Sequence, residues 1–355
     1  MYEAITIKDI AKALGLSTST VSRALRGSYE ISSETKKLVI EYAEQYNYRP
    51  NPIALSLKER RSRSIGVVVC EIANNFFSQA INGIESIAYN RGYHVIISQS
   101  HESYDREVVN VEHLASRSVD GLLVSLSTET DHIEHFKNLH DKGFPIVFFD
   151  RITNDIETHK VVADNYKGAY DATQHLIDAG YTKIAHLTSS AHLSISIERL
   201  NGYKAALKDN DIPVLESYIK HCNHGGMIYT ELEAAVKELV NLKERPDAIF
   251  SAGDRLTLSC LTALKSIGLK VPDDLAVVGF SNSALVELFN PSLTAVKQPA
   301  FEMGQVATEL LINLIESKRP VTEFETVVLQ TELFVRDSSA AKTTKKSLKP
   351  KKAVS

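Results

Sequence analysis

Ser17-Thr18-Ser19-Thr20-Val21-Ser22-Arg23, followed some thirty residues later by Asn51-Pro52-Ile53-Ala54-Leu55-Ser56-Leu57-Lys58, decides how this chain of 355 residues is read. Ser17 can cap a helix whose Val21, Ala24 and Leu25 face inward, while Thr18, Ser19, Ser22, Arg23 and Arg26 share an outer face with no hydrophobe on it. Upstream, Ile7, Ile10, Ala11 and Leu14 keep the spacing of an amphipathic helix that starts at a Thr6/Asp9 capping pair and ends at Gly15. Downstream, a third helix is expected from about Glu34, with Val39, Tyr42, Ala43 and Tyr46 on its inner face. Two helices joined by a tight turn and braced by a third make a helix-turn-helix unit, here residues 1–50. Its outer face suits the major groove, where arginine pairs with guanine O6 and N7 and hydroxyls donate or accept. A merely solvated polar face is the bland alternative, and the framing helices and the second motif argue against it.

In that second motif Asn51 is a cap and Pro52 a first helical residue, so a helix of about two turns follows. Alone in water so short a helix is marginal, and it needs a partner or DNA to form. The run Lys58-Glu59-Arg60-Arg61-Ser62-Arg63 then marks a linker, so residues 51–63 read as a hinge between domains.

Net charge is −4, which argues against nucleic acid until it is divided by region. Residues 1–63 carry 11 Lys/Arg against 7 Asp/Glu, and residues 338–355 carry six Lys and no acid, whereas the stretch between them holds 23 basic and 37 acidic residues. The amino-terminal end is therefore the part expected to approach phosphate. No apolar run is long enough to span a membrane and the first thirty residues lack an apolar signal stretch, so a cytoplasmic protein with no membrane partner is expected, nucleoid-associated when bound to DNA. Cys70, Cys222 and Cys260 have no paired spacing and suit a reducing compartment.

From Ile65 onward, apolar strands alternate with amphipathic helices, with strands expected at 65–70, 93–98, 119–125, 145–150, 183–188, 247–251 and 275–280. Runs such as Gly66-Val67-Val68-Val69 suit parallel strands covered on both faces, and roughly 270 residues suit two doubly wound units rather than one. The Lys-rich tail at 338–355 is expected to be disordered. No Gly-x-Gly-x-x-Gly, phosphate loop or Gly-x-Ser-x-Gly elbow occurs, so the reading is not that of an enzyme, and no cofactor is expected. His132/His135 and His221-Cys222-x-His224 do not supply the four ligands of a structural zinc site, so no metal is expected either.

Over residues 6–337 the chain resembles the lactose-repressor (LacI/GalR) family of bacterial transcription regulators. The resemblance lies in residues 7–23, in Asn47-Tyr48-Arg49-Pro50-Asn51 leading to Ala54-x-x-Leu57, and in Ser64-Ile65-Gly66-Val67. It continues in Phe148-Phe149-Asp150-Arg151, Arg199-Leu200-Asn201-Gly202-Tyr203, Val277-Val278-Gly279-Phe280 and Leu293-Thr294-Ala295-Val296. It implies an all-α helix-turn-helix headpiece on an α/β periplasmic-binding-protein-like body, 64–337, built of two doubly wound lobes. The lobes are placed at 64–162 with 293–321 and at 163–290 with 324–337, joined by crossovers near 162–164, 290–293 and 321–324.

The same resemblance implies a repressor acting as a homodimer, with a tetramer as the alternative, on a pseudopalindromic operator. Thr18, Ser19 and Arg23 then read the major groove, Ser22, Thr20 and Asn51 contact phosphate, and Leu57 wedges into the minor groove unless it simply packs between two short helices. A small-molecule effector would occupy the cleft between lobes, outside the carboxyl ends of strands. Its expected contacts are Asn75, Phe76, Phe77, Ser125, Asp150, Arg199, Asp254, Ser281 and Gln298, with Asp150 as a loop cap and Phe76 as core standing as the competing readings. Such a set suits a sugar or sugar derivative. Ser281 and Gly253, where many relatives have Asp and Asn, point to a ligand that is less hydroxylated or carries its own negative charge.

Overall fold

The computed structural model describes residues 5–48, 61–116 and 119–341. The expected hinge helix, with Asn51 and Leu57, and residues 342–355 of the Lys-rich tail lie outside the described residues, whereas the start of that tail departs from the expected disorder, Ser338 and Ser339 being buried and Ser338 donating to the Val277 carbonyl at 2.6 Å. The chain divides into an amino-terminal unit, residues 1–62, and a body, residues 63–355.

In the first unit α1 (Ile7–Leu14), α2 (Thr18–Leu25) and α3 (Ser33–Gln45) enclose a small core of Ile10, Ala11, Val21, Ala24, Val39 and Ala43. Thr6 and Asp9 close the capping box, the Thr6 amide donating to Asp9 Oδ2 at 2.9 Å, and Gly15 ends α1 in the left-handed region at φ 64°. Helix α3 starts at Ser33 because Ser32 caps it. Tyr46 departs from the expected inner face. It is the residue at which α3 ends, its side chain is half exposed, and its ring lies 4.6 Å from that of Tyr42.

The body holds two six-stranded sheets. The first contains β1 (Ser64–Val69), β2 (His94–Gln99), β3 (Leu122–Val124), β4 (Ile146–Phe149), β5 (Lys160–Ala163) and, from much later in the chain, β11 (Thr326–Leu329). Their order across the sheet is β2-β1-β3-β4-β5-β11, every pair parallel. The second contains β6 (Ile184–Thr188), β7 (Ile219–His221), β8 (Ala248–Ser251), β9 (Ala276–Phe280), β10 (Thr294–Lys297) and β12 (Glu332–Phe334). It repeats the plan as β7-β6-β8-β9-β10-β12, parallel except for β12. In each sheet the strand order reverses beside its first strand, which opens a crevice at the carboxyl ends. Helices α4 (Asn75–Asn90), α5 (Tyr104–Ser116), α6 (Glu134–His140) and α11 (Ala300–Glu316) belong with the first sheet. Helices α7 (Asn165–Asp178), α8 (Ser194–Asp209), α9 (Tyr229–Val240) and α10 (Asp254–Ser266) belong with the second.

Two of the expected lobe boundaries are corrected. Strand β10 was assigned to the first lobe, yet Ala295 pairs with Gly279 of β9, so the chain returns to the first lobe only at residues 298–300. Strand β11 was assigned to the second lobe, yet Val327 pairs with Val161 of β5, so the last passage falls between Leu329 and Glu332. Both exchanges cover the amide edge of a strand that would otherwise be bare, a need that hydrophobic periodicity does not register. The other passage lies between Ala163 and Asn165.

Helix α11 buries Met303, Ala307, Leu311 and Ile312 under the first sheet and runs against α4. Gly83 faces the Phe301 carbonyl and Gly304 the Ala80 carbonyl, so closely that a Cβ at either position would strike backbone. Gly304→Ala is therefore expected to destabilise the body by about 1–3 kcal/mol. Chemical denaturation would register this as a lower midpoint, and a midpoint equal to the parent's would contradict so close a helix contact.

Candidate DNA-reading face and effector cleft

Ser17 organises the start of α2. Its hydroxyl accepts the Thr20 amide at 3.0 Å and lies 2.7 Å from the Ser19 hydroxyl and 2.8 Å from that of Thr20. Thr18 and Ser19 are exposed on the first turn, whereas Thr20 and Ser22 are half-buried. The Arg23 guanidinium stands 3.1 Å from Glu30 Oε2, with 59% of its side chain exposed. A surface pair of this kind is worth at most about 1 kcal/mol, so Arg23 can leave it for a better partner. The face expected from sequence is thus present, with Thr20 turned back to serve the cap.

In the body, polar side chains gather where the strands end. Asp150 follows β4 with its backbone in the left-handed region at φ 60°, and Arg151 follows it. The Arg151 guanidinium donates to Glu102 from both terminal nitrogens, at 2.6 and 3.1 Å, and also to the Leu126 carbonyl at 3.3 Å and Cys70 Sγ at 3.2 Å. The Thr128 amide donates to the same carboxylate at 2.8 Å. Burial alone would raise the Glu102 pKa, but the charge and hydrogen bonds of Arg151, with those of Thr128, outweigh it and hold the carboxyl below its ordinary value of 4.5.

From the second lobe Arg199, on α8, is buried with its guanidinium carbon 3.8 Å from the centre of the Phe280 ring. It donates to Asn165 Oδ1 at 2.8 Å and to the Ala252 carbonyl at 2.7 Å. Burial lowers its pKa to about 10, opposed by the negative charge of Asp150, so it remains a cation at neutral pH. Asp150 is itself shifted upward by burial, against the pull of Arg151, Arg199 and the Gln298 amide.

Several bonds cross between the lobes. Gln298 Nε2 reaches Asp150 Oδ1 at 3.4 Å, and Gln79 and Asn282 exchange two hydrogen bonds of 2.9 Å. Arg255 forms an ion pair with Glu71, and the Ile152 amide donates to the Ser194 hydroxyl at 3.4 Å.

Of the expected effector contacts, Asp150, Arg199 and Gln298 come together in this way. Ser281 and Asp254 meet each other, the hydroxyl donating to the carboxylate. Ser125 follows β3 and is fully buried. Asn75 opens α4, which Asn74 caps. Phe76 and Phe77 are buried in the first lobe's core with Cys70 and Ala80, edge to face at 5.2 Å, because the inner face of α4 starts with them, and for Phe76 this is the competing core reading. Sequence reasoning missed Glu102, Thr128, Asn165 and Gln79. Glu102 could have been found as an acidic residue just past the carboxyl end of β2, had that strand's place beside β1 been known.

Comparison with known proteins agrees with this architecture. Residues 6–51 match the bacterial regulatory proteins of the lacI family and residues 173–339 match the periplasmic binding protein-like domain. The chain is 33% identical over 336 residues to the HTH-type transcriptional repressor PurR of Vibrio campbellii (strain ATCC BAA-1116), covering 94% of this chain and 98% of that protein. It is similar to the solved complex of the transcriptional regulator CelR with cellobiose, at 30% identity and a TM-score of 0.70 over 94% of this chain and 99% of that one. In fold it is also similar to the lac repressor dimer bound to operator and the anti-inducer ONPF, with a TM-score of 0.80 at 23% identity over 96% of this chain and 100% of that one.

Glu102→Gln leaves Arg151 buried without its counter-charge and is expected to cost about 3–5 kcal/mol of stability. The Glu102 carboxyl titrates lower in the folded than in the unfolded chain, so its contribution is complete above the ordinary value of 4.5 and drains away as pH falls through the lowered one. Melting curves of parent and variant should accordingly converge in acid. A gap that stays constant from neutral pH to acid would contradict this account.

Proposed function

This chain belongs to the lacI family of bacterial regulatory proteins, and from that premise we propose that it represses transcription by binding a pseudopalindromic operator as a homodimer under the control of a sugar-like effector. It is a transcriptional repressor of that family with a DNA-binding helix-turn-helix and an effector-binding body. The observation that carries the finer DNA reading is the outer face of α2, where Thr18, Ser19 and Arg23 stand exposed on a capped helix seated on its own apolar core. On the operator Arg23 takes guanine, Ser22, Thr20 and Asn51 take phosphate, and Leu57 enters the minor groove at the operator centre.

Support for a hydroxyl-rich effector comes from the carboxyl ends of four strands. There the hydroxyls of Ser100, Ser125, Thr188, Ser189 and Ser251 are buried with no hydrogen-bond partner among the described residues. Buried hydroxyls without partners are costly, and a ligand whose own hydroxyls both donate and accept would satisfy them. The similarity to a regulator solved with cellobiose points the same way. A homodimer is supported by β2, an edge strand paired on one side only among the described residues and carrying Ile96 and Ile97 at 43% and 37% exposure.

Selection of duplexes from a randomised library tests the DNA reading, and a two-fold related consensus is expected. Arg23→Ala should lose about 1–3 kcal/mol of preference at one base pair of each half-site. Leu57→Ala should weaken the selected duplex by at least about tenfold while binding to random DNA is unchanged. Equal loss on random and selected DNA would refute both roles. For the effector, melting temperature is read against a panel of sugars, sugar phosphates and nucleobases. A rise with a neutral sugar that also changes operator affinity is expected, and a rise confined to nucleobases would overturn the sugar class.

A further inference from the structure

The linker enters the body at Arg63, and this residue is held on several sides. Its amide donates to Asp120 Oδ2 at 2.9 Å and its carbonyl accepts the His94 amide at 2.8 Å. Its guanidinium lies 3.6 Å from Glu316 Oε1 and 5.4 Å from the centre of the Tyr93 ring. Its backbone is left-handed at φ 57°, which a residue with a side chain keeps when its surroundings impose it. Glu316 also receives Arg91 Nη2 at 2.7 Å and the Tyr93 hydroxyl at 3.4 Å. Glu316 is the last residue of α11, and Arg91 is the residue that ends α4. The two helices that pack along the first lobe therefore finish together on the residue that begins the body.

The opposite ends of the same helices lie at the cleft. Near the start of α4, Gln79 exchanges its two hydrogen bonds with Asn282 of the second lobe. Helix α11 begins two residues after Gln298, whose carbonyl accepts Asn282 Nδ2 at 2.8 Å and whose side chain reaches Asp150. Between these ends the 17 residues of α11 rise about 25 Å. At Gly83 and Gly304 the two helices approach so closely that a Cβ on either would strike the backbone of the other.

We propose that α4 and α11 act as one strut between cleft and linker, and that Glu316 is the positioning residue that holds Arg63 to it, so that a change in lobe arrangement is felt as a change in operator affinity. The proposal rests on the reading of the protein as an effector-controlled repressor. Each Glu316 ion pair is partly exposed and contributes little to stability, so its worth is geometric and Glu316→Gln should fold.

The test is a double-mutant cycle on the full chain, read as the dissociation constant for the duplex recovered by selection at one fixed salt concentration. Gln79→Ala disturbs the cleft end and is expected to change operator affinity by about tenfold in the parent, but by less than about twofold when Glu316 is Gln. Melting temperatures confirm that all four proteins are folded. The added positive charge of Glu316→Gln cancels, because it is common to both arms. An equal change in both backgrounds, or no change in either, overturns the strut while leaving the repressor reading intact. A parent that selects no duplex sinks the repressor reading and the strut with it.

Discussion

A guanidinium taken out of water must recover the hydrogen bonds and counter-charge it loses there, and the cleft is organised around two such groups, one from each lobe. Arg151 recovers them within its own lobe, from Glu102 and the Leu126 carbonyl. Arg199 is treated differently. Its direct partners, Asn165, the Ala252 carbonyl and the face of Phe280, are all uncharged, and of the two anions that steady it the stronger, Asp150, belongs to the other lobe, while Glu198 of its own helix adds less. Its charge is therefore balanced in part across the cleft, which makes the lobe arrangement and the state of Arg199 interdependent. A ligand presenting acceptor oxygens near Arg199 would enter the same balance, giving an effector a physical grip on lobe closure.

The chain passes three times between lobes, and at each passage a strand pairs in one lobe just before a helix or strand of the other begins. Such passages allow the lobes to turn without breaking either sheet, because each ladder is completed within its own lobe. The close contact of α4 with α11 has the opposite effect and makes the first lobe stiff along one line. Flexibility at the passages and stiffness along that line are both needed if a small molecule is to influence DNA through the residue at which the linker joins the body.

The amino-terminal unit shows how little core a reading head requires. Six small or branched apolar side chains on three helices bury one another, and caps at Thr6, Ser17 and Ser32 settle where the helices start. These choices free the outer face of α2 from any packing duty. The separation of charge along the chain, basic at its ends and acidic between, fits the same division of labour.

Helix periodicity, caps and the alternation of strands with helices were legible because they depend on neighbours within a few residues. So were the outward face of Thr18, Ser19 and Arg23, and the placing of Asp150 and Arg199 at the cleft, the latter with the help of a family resemblance. An aromatic residue after a strand serves a ligand or a core equally well, and only the seat of α4 places Phe76 and Phe77 in the core. The strands β5, β7, β10, β11 and β12 are no shorter than β3, β4 and β8, but each carries Lys, Thr or Glu within its three or four residues, so no apolar run declares itself. By itself the sequence determined a capped three-helix head and an α/β body, since local hydrogen bonding and side-chain spacing suffice for those. Which edge strand completes which sheet, which acid answers Arg151 and which residues join the lobes were decided only in the tertiary structure, because those partners are far apart in the chain and are selected by the need of buried polar groups for a mate.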